Sequence, residues 1–380
     1  MKNPDAIVIG AGIVGAACGY ALTKAGLRVL ILDRGSIASG TTSAGEGNIL
    51  VSDKEPGPEL TLALRSRELW FELNKEIGDT FELEAKGGVV VARHDDRALM
   101  KLASLQTSNG VTAIKLNSTE LHNLEPYLHP DISRGVFYPQ DSQCQPMLAT
   151  AHLIRAVIAG GGEFKPHSLV TAITSQEGRI SGVKTTNEEF STPIVVNATG
   201  TWAADLAALA GSSLPIAPRR GFILVTTPVP KYVFHKVYDS DYVSNVSNSD
   251  AKLQTSTVVE GTRSGTILIG ASRERVGFNR EVNMDVLRKL AAQATSLFPI
   301  LRNVELLRFY SGFRPYAPDH IPIIGEDPIL PGLWHSAGHE GAGIGLAPGS
   351  ALLIAQQITG QITFMDAQPF SPSRFHNGAA

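Results

Sequence analysis

Residues 6–9 form a short unbroken apolar run, the pattern of a strand buried on both faces in a parallel sheet. Residues 27–32 and 194–197 predict two more apolar strands. Between the first two, residues 16–25 predict a helix that Gly26 ends as a C-cap glycine. Residues 60–77 predict a long amphipathic helix with Gly78 near its end, and residues 203–210 a short one ending at Gly211. Residues 169–173 and 180–184 read as a hairpin around Glu177-Gly178-Arg179. Residues 87–92 and 221–225 predict further strands. A glycine-rich run over 338–346 opens a last helix, 347–359.

Composition narrows the classes. The chain has 380 residues, enough for two or three structural units, and 43% hydrophobic residues supply a large core. Lys and Arg number 33 against 36 Asp and Glu, a net charge of −3 with no dense basic run, which argues against a nucleic-acid binder. Cys18 and Cys144 offer no disulfide framework and no metal-ligand spacing, as expected of a reducing, cytoplasmic setting. No signal peptide and no transmembrane segment are expected, since no apolar run reaches about 18 residues. Peripheral attachment at the inner face of the membrane stays open. Glycine is the outlier, 37 residues, nearly a tenth of the chain against a usual level of about 7%.

The glycines cluster where chemistry is expected. Gly10-Ala11-Gly12-Ile13-Val14-Gly15 has a strand before it, a helix after it, and Asp33 closing the next strand. That unit is the dinucleotide fingerprint: Gly10 permits a tight turn, Gly12 lets backbone approach a pyrophosphate, and Gly15 lets helix pack on strand. Free N–H groups at the helix start then meet phosphate. Asp33 suits a ribose diol, which disfavours NADP even though Arg34 follows; NAD and FAD are not separated by the fingerprint alone. A second polar, glycine-rich loop spans residues 40–48.

Four motifs in order carry a resemblance: GAGIVG with Asp33, TTSAGEGN at 41–48, NATGTW at 197–202, and GFRP at 312–315 followed by GHEGAGIG at 338–345. Together they resemble the FAD-dependent D-amino-acid oxidase superfamily, the group with glycine and sarcosine oxidases, over nearly the whole chain. The nearest subgroup contains the β-subunits of opine oxidases, D-hydroxyproline dehydrogenases and hydrogen cyanide synthase. The resemblance implies an α/β fold: a discontinuous Rossmann-like FAD-binding domain (1–85, 145–213, 311–380) and an α+β substrate domain (86–144, 214–310) on a large antiparallel sheet.

It also implies site roles. Gly10, Gly12, Ile13, Val14 and Gly15 form the dinucleotide turn; Asp33 and Arg34 hold the AMP ribose end; Thr41 and Thr42 contact phosphates. Glu46, Gly47 and Asn48 lie beside the flavin, Val170 meets adenine, and Thr199 and Gly200 line the cofactor. His339, Glu340, Gly341, Ala342, Gly343, Ile344 and Gly345 wrap the flavin ring. Arg314 matches a substrate-carboxylate clamp, for which guanidinium is the natural bidentate partner. A second clamp arginine of glycine oxidase corresponds to Gly341 here, so larger secondary amines fit better than glycine. Glu46 and Glu340 are candidates for holding the amine. His335 and His339 read as a structural histidine and a flavin neighbour, Trp202 and Tyr316 as packing residues, and Tyr238, Tyr242, Arg263 and Arg273 as candidates to face the substrate pocket.

The implied reaction is oxidation of the C–N bond of an amino acid or secondary amine by hydride transfer to the N5 of non-covalent FAD. The leading expectation is the catalytic β-subunit of a hetero-oligomeric dehydrogenase with a flavoprotein α-subunit as electron acceptor. The alternatives are a stand-alone glycine- or sarcosine-type oxidase releasing hydrogen peroxide, and a non-catalytic flavin-bound scaffold subunit.

Overall fold

The computed structural model describes residues 3–93, 95–240 and 253–376; Tyr242 lies outside the described residues. The unbroken apolar runs form the centre of a six-stranded sheet, in the order Ile323–Glu326, Leu333–Ala337, Val195–Asn197, Ala6–Ile9, Val29–Leu32, Glu163–Lys165. All its pairings are parallel except that between the first two strands. Their lack of alternation has a direct cause, because both faces are covered. Val8, Ile31 and Val196 pack with residues of the helices Ile13–Lys24, Pro146–Ala159 and Gly343–Ile358. Ile7, Ile9, Leu30 and Leu32 pack on the other side with Val170, Ile180, Val183 and Phe190 of a three-stranded antiparallel sheet. In that sheet the expected hairpin turns at Glu177 and Gly178, both at positive φ (53° and 74°), the backbone a two-residue hairpin turn requires.

The second layer is an eight-stranded sheet in the order Leu306–Tyr316, Ala217–Thr226, Ile267–Glu274, Leu253–Gly261, Lys236–Asp239, Gly88–Ala92, Arg134–Tyr138, Ile114–Leu116. It is antiparallel except where Lys236–Asp239 runs parallel to Gly88–Ala92. The helix Met284–Leu297 covers one face through Val286, Leu290 and Leu297, which join Phe222, Leu224 and Val259 in a core. By strand alternation, Arg219, Gly221 and Ile223 point from the opposite face. This architecture is the α/β fold with a second α+β layer that the motifs imply.

Two expected boundaries shift. The strand Leu306–Tyr316 belongs wholly to the eight-stranded sheet, so a division at 310/311 cuts through an element. The last helix begins at Gly343, four residues before the expected start. Its early turns are rich in glycine and contain Pro348, which reads as loop; tertiary contacts supply what that sequence lacks. Pro348 has no N–H for the Ile344 carbonyl, and the Trp70 indole donates to that oxygen instead (3.1 Å). Ser66 Oγ donates to the Gly345 carbonyl (2.6 Å) and accepts the Gly349 N–H (3.0 Å). Ser66 and Trp70 are both fully buried on the helix Pro58–Ile77. No helix among the described residues is long and apolar enough to cross a membrane.

Candidate active site

One elongated cavity of about 730 Å³ runs between the two sheets. Its wall includes Asp33, Arg34, Leu169 and Val170, then Gly10, Gly12, Ile13 and Val14 of the dinucleotide turn, and, from the other segments, Glu46, Ala271, Arg314 and Glu340. The cradle is made by backbone that tolerates no side chain. Gly10 has φ 113°, and a Cβ there would overlap the Ala198 carbonyl; one at Gly15 would overlap the Gly10 carbonyl. The helix Ile13–Lys24 thereby starts directly on the strand end, with its N-terminal N–H groups at the cavity. Gly200, at φ 59°, brings a second stretch of backbone to the wall beside Thr199.

Asp33 holds the turn together as well as facing the cavity. Its carboxylate accepts the N–H groups of Ala11 and Gly35, each at 2.7 Å. Thr42 Oγ1 accepts the Ile13 N–H at 3.0 Å, and the Thr41 hydroxyl donates to the Phe313 carbonyl at 2.8 Å. Both threonines line the cavity, but the Thr41 proton is already committed to the chain. The Arg34 guanidinium lies 4.0 Å over the Trp202 ring, which stacks on Phe278 at 5.5 Å. Trp202, expected as packing alone, is thus also cavity wall.

The last helix aims its N-terminus at the cavity through Gly343 and Ile344, placing the positive end of its dipole there. His339, beside it, is buried and hydrogen-bonded through Nε2 to Ser350 (2.9 Å); burial pulls its pKa down to about 4. Glu340 sits at φ 47° with one oxygen 2.8 Å from His320 Nδ1 and the other 3.6 Å from Arg219. Glu46 is buried, with Oε2 accepting from Asn48 (2.8 Å) and from Lys236 (3.3 Å), while Oε1 has no hydrogen-bond partner. Lys236, itself buried, also bonds Glu260 and the Asn48 side chain, a network that motif reading gave no sign of. Arg314 donates to the Ser272 carbonyl at 2.8 Å and faces the cavity. A Cβ at Gly341 would lie in van der Waals contact with Arg314, 3.6 Å from Nε, so glycine leaves the guanidinium without a side chain against it at that point.

Four of the expected site residues are not cavity wall. Gly15 serves helix–strand packing, as its place in the fingerprint predicts. Gly47 packs on the Cys144 carbonyl and pairs with that residue's N–H (2.9 Å), which is why it tolerates no Cβ. Gly345 abuts Asn48 and Ile49 and binds Ser66 and Trp70, and Ala342 caps the helix behind the wall. Of the pocket candidates, Arg273 is buried two residues from the wall residue Ala271. Arg263 instead pairs with Glu84 at the surface, and Tyr238 donates to Ser52 between the sheets. His335 is structural, held by Asp327 (2.8 Å), and Tyr316 packs under the guanidiniums of Arg219 and Arg275.

A glycine cradle opening on a helix start, an acid after the next strand and a second helix N-terminus at the same cavity are the parts of a dinucleotide-dependent oxidoreductase. Residues 5–357 match the family of FAD dependent oxidoreductases (DAO), and the chain belongs to that family. It is 31% identical over 381 residues to glycine oxidase of Geobacillus kaustophilus (strain HTA426), covering 97% of each chain. It is 27% identical to hydrogen cyanide synthase subunit HcnC of Pseudomonas aeruginosa, covering 98% of this chain and 97% of that one. Its fold superposes on L-proline dehydrogenase from P. horikoshii with a TM-score of 0.91 at 25% identity, covering 99% of each. The cavity's volume, its glycine backbone and its two helix N-termini fit FAD.

Proposed function

We propose that this chain oxidises the C–N bond of an amino acid carrying a secondary amine, a D-proline or D-hydroxyproline derivative or an opine, as the catalytic subunit of a dehydrogenase. A flavoprotein partner subunit receives the electrons. The observation that carries this reading is Arg314 on the cavity wall, with glycine in place of a side chain beside it at Gly341. The names of the similar proteins, glycine oxidase, L-proline dehydrogenase and a hydrogen cyanide synthase subunit, support it.

When bound, FAD supplies a two-electron acceptor. Gly10, Gly12, Ile13 and Val14 would hold its pyrophosphate, Asp33 and Arg34 its ribose end, Val170, Thr199 and Gly200 its flank. The start of the last helix would stabilise negative charge on the reduced ring. Arg314 binds the substrate carboxylate and fixes the reacting carbon in place. Glu46, with an unpartnered buried oxygen, is the better placed of the two acids to accept a proton from the amine; Glu340 is held on both oxygens by His320 and Arg219. A cytoplasmic location goes with this reading.

The test is anaerobic bleaching of the flavin absorbance by D-proline, trans-4-hydroxy-D-proline, octopine, nopaline, sarcosine and glycine. Bleaching by a secondary amine, lost in Arg314→Ala, supports the reading; no flavin absorbance after reconstitution overturns it. The 31% identity to a glycine oxidase favours a second reading, a stand-alone oxidase. Rapid hydrogen peroxide release by the lone chain would establish that one. Arg314→Ala without effect on activity or affinity would favour a flavin-bound scaffold.

A further inference from the structure

Arginines converge where the eight-stranded sheet faces the cavity. Arg219 and Arg314 stand directly opposite each other on neighbouring antiparallel strands. Side chains so placed share one face, with Cβ atoms about 5 Å apart. Arg219 does not itself line the cavity, but it is on the side of its strand that carries the wall residues Gly221 and Ile223. Its Nη2 donates to Gln254 (2.5 Å), which pairs in register with Arg273. Arg275 and Arg219 both lie over the Tyr316 ring, at 4.8 and 5.4 Å.

Glu340 lies 3.6 Å from Arg219 and is shared with His320. Arg219 is 1% exposed, and its Nε and Nη1 have no hydrogen-bond partner. A buried guanidinium with two unmade hydrogen bonds is unfavourable unless something completes it. Burial pulls its pKa down to about 10; Glu340 opposes this, while Arg273, Arg314 and Arg275 push the same way. Arg219 is therefore short of acceptors, opposite the proposed clamp Arg314.

We propose that Arg219 is a second carboxylate clamp, and that the substrate is an iminodicarboxylate, a secondary amine bearing two carboxylates, one held by Arg314 and one by Arg219. This rests on the cavity being the site of FAD-linked C–N oxidation. It selects the two-carboxylate, opine-like branch over cyclic monocarboxylates. With its amine neutral, such a molecule carries two negative charges into the cluster, and each arginine gains a charge-assisted pair.

The test uses oxydiacetate and methoxyacetate, which share an ether skeleton, differ by one carboxylate and contain no amine to oxidise. Each is titrated into the FAD-loaded protein, and the dissociation constant is read from the perturbed flavin spectrum and by calorimetry. Oxydiacetate is expected to bind at least about 30-fold tighter, the effect of one charge-assisted pair. Arg219→Gln should reduce that ratio to about 3-fold or less, leaving methoxyacetate affinity in place, and Arg219→Lys should retain part of it. A loss of folding alone would not change the ratio; if the Gln variant does not fold, the ratios of wild type and Arg219→Lys decide. Equal affinity for the two probes, or a ratio unchanged in the Arg219 variants, overturns the proposal. Equal affinity together with bleaching by D-proline would sink the dicarboxylate while leaving the proposed reaction standing.

Discussion

Removing one hydroxyl should loosen the last helix. Ser66 Oγ is inserted between the Gly345 carbonyl and the Gly349 N–H, at 2.6 and 3.0 Å, in a fully buried position. In Ser66→Ala both backbone groups lose that partner. The two helices are already close at the crossing, with a Cβ on Gly349 falling 2.9 Å from Leu62 Cδ1 and 3.0 Å from Ser66 Cβ, so water has no room to enter. The Gly345 carbonyl keeps a second donor, the Trp70 indole at 3.3 Å, and the Gly349 N–H is the group left exposed to the loss. Leaving a buried donor without its partner costs about 1–3 kcal/mol, which is the expected destabilisation. Urea unfolding, followed by far-UV circular dichroism, should show a lower midpoint at unchanged slope. Ser66→Cys, which keeps the bulk and a weak donor, should fall between the two. A Ser66→Ala loss below about 0.5 kcal/mol would refute the reasoning, since ordinary surface substitutions reach that size.

Three further outcomes follow from the same structure. Gly15→Ala, whose methyl group would overlap the Gly10 carbonyl, should yield protein that folds poorly or without bound flavin; a normal ratio of visible to ultraviolet absorbance would count against the close approach. His339 is held down to about 4 from 6.5, so the unfolded chain binds the extra proton between those values. Stability from its neutral burial is complete above pH 6.5 and is lost as pH falls toward 4, by about 3 kcal/mol; His339→Gln should flatten the denaturation midpoint across that window, and an unchanged slope would contradict it. Asp141 works in the opposite sense. Burial, with the Asp53 charge adding to it, outweighs the hydrogen bonds from Ser52 and Val51 and raises its carboxyl to about 6. Its folded pKa lies above the unfolded one, so stability falls as pH rises from 3.8 to 6 and is level beyond. Asp141→Asn should therefore gain on wild type through that range, and a deficit that widens with pH would show the carboxylate to be favoured.

The dinucleotide turn is legible in the sequence because its parts are contiguous: strand, glycines, helix, strand and Asp33 follow one another, and each local preference agrees with the fold. The far end of the cavity is legible only as motifs. Arg314, Glu46 and Glu340 can be named from the resemblance, and the structure brings all three to the wall. Arg219 cannot be named that way. Its strand pairs with Leu306–Tyr316 in a register that places it opposite Arg314, beside the wall. The alternation of 219, 221 and 223 was the available signal, and it needs the cavity side of the sheet to be known first. Lys236 escapes for the same reason, since Glu46, Asn48 and Glu260 meet it only across the seam. The start of the last helix is illegible because Pro348 and the glycines argue for a loop; buried donors from Ser66 and Trp70 outweigh them.

The cavity wall draws on residues as far apart in the chain as Gly10 and Ile344. During synthesis the glycine cradle emerges early, but the strand Leu333–Ala337 that completes its sheet and the helix Gly343–Ile358 that closes its far pole come more than 300 residues later. A chain short of residue 358 therefore lacks part of the last helix, whose start supplies Gly343 and Ile344 to the wall. A complete wall is thus a property of the assembled fold, not of the dinucleotide turn alone.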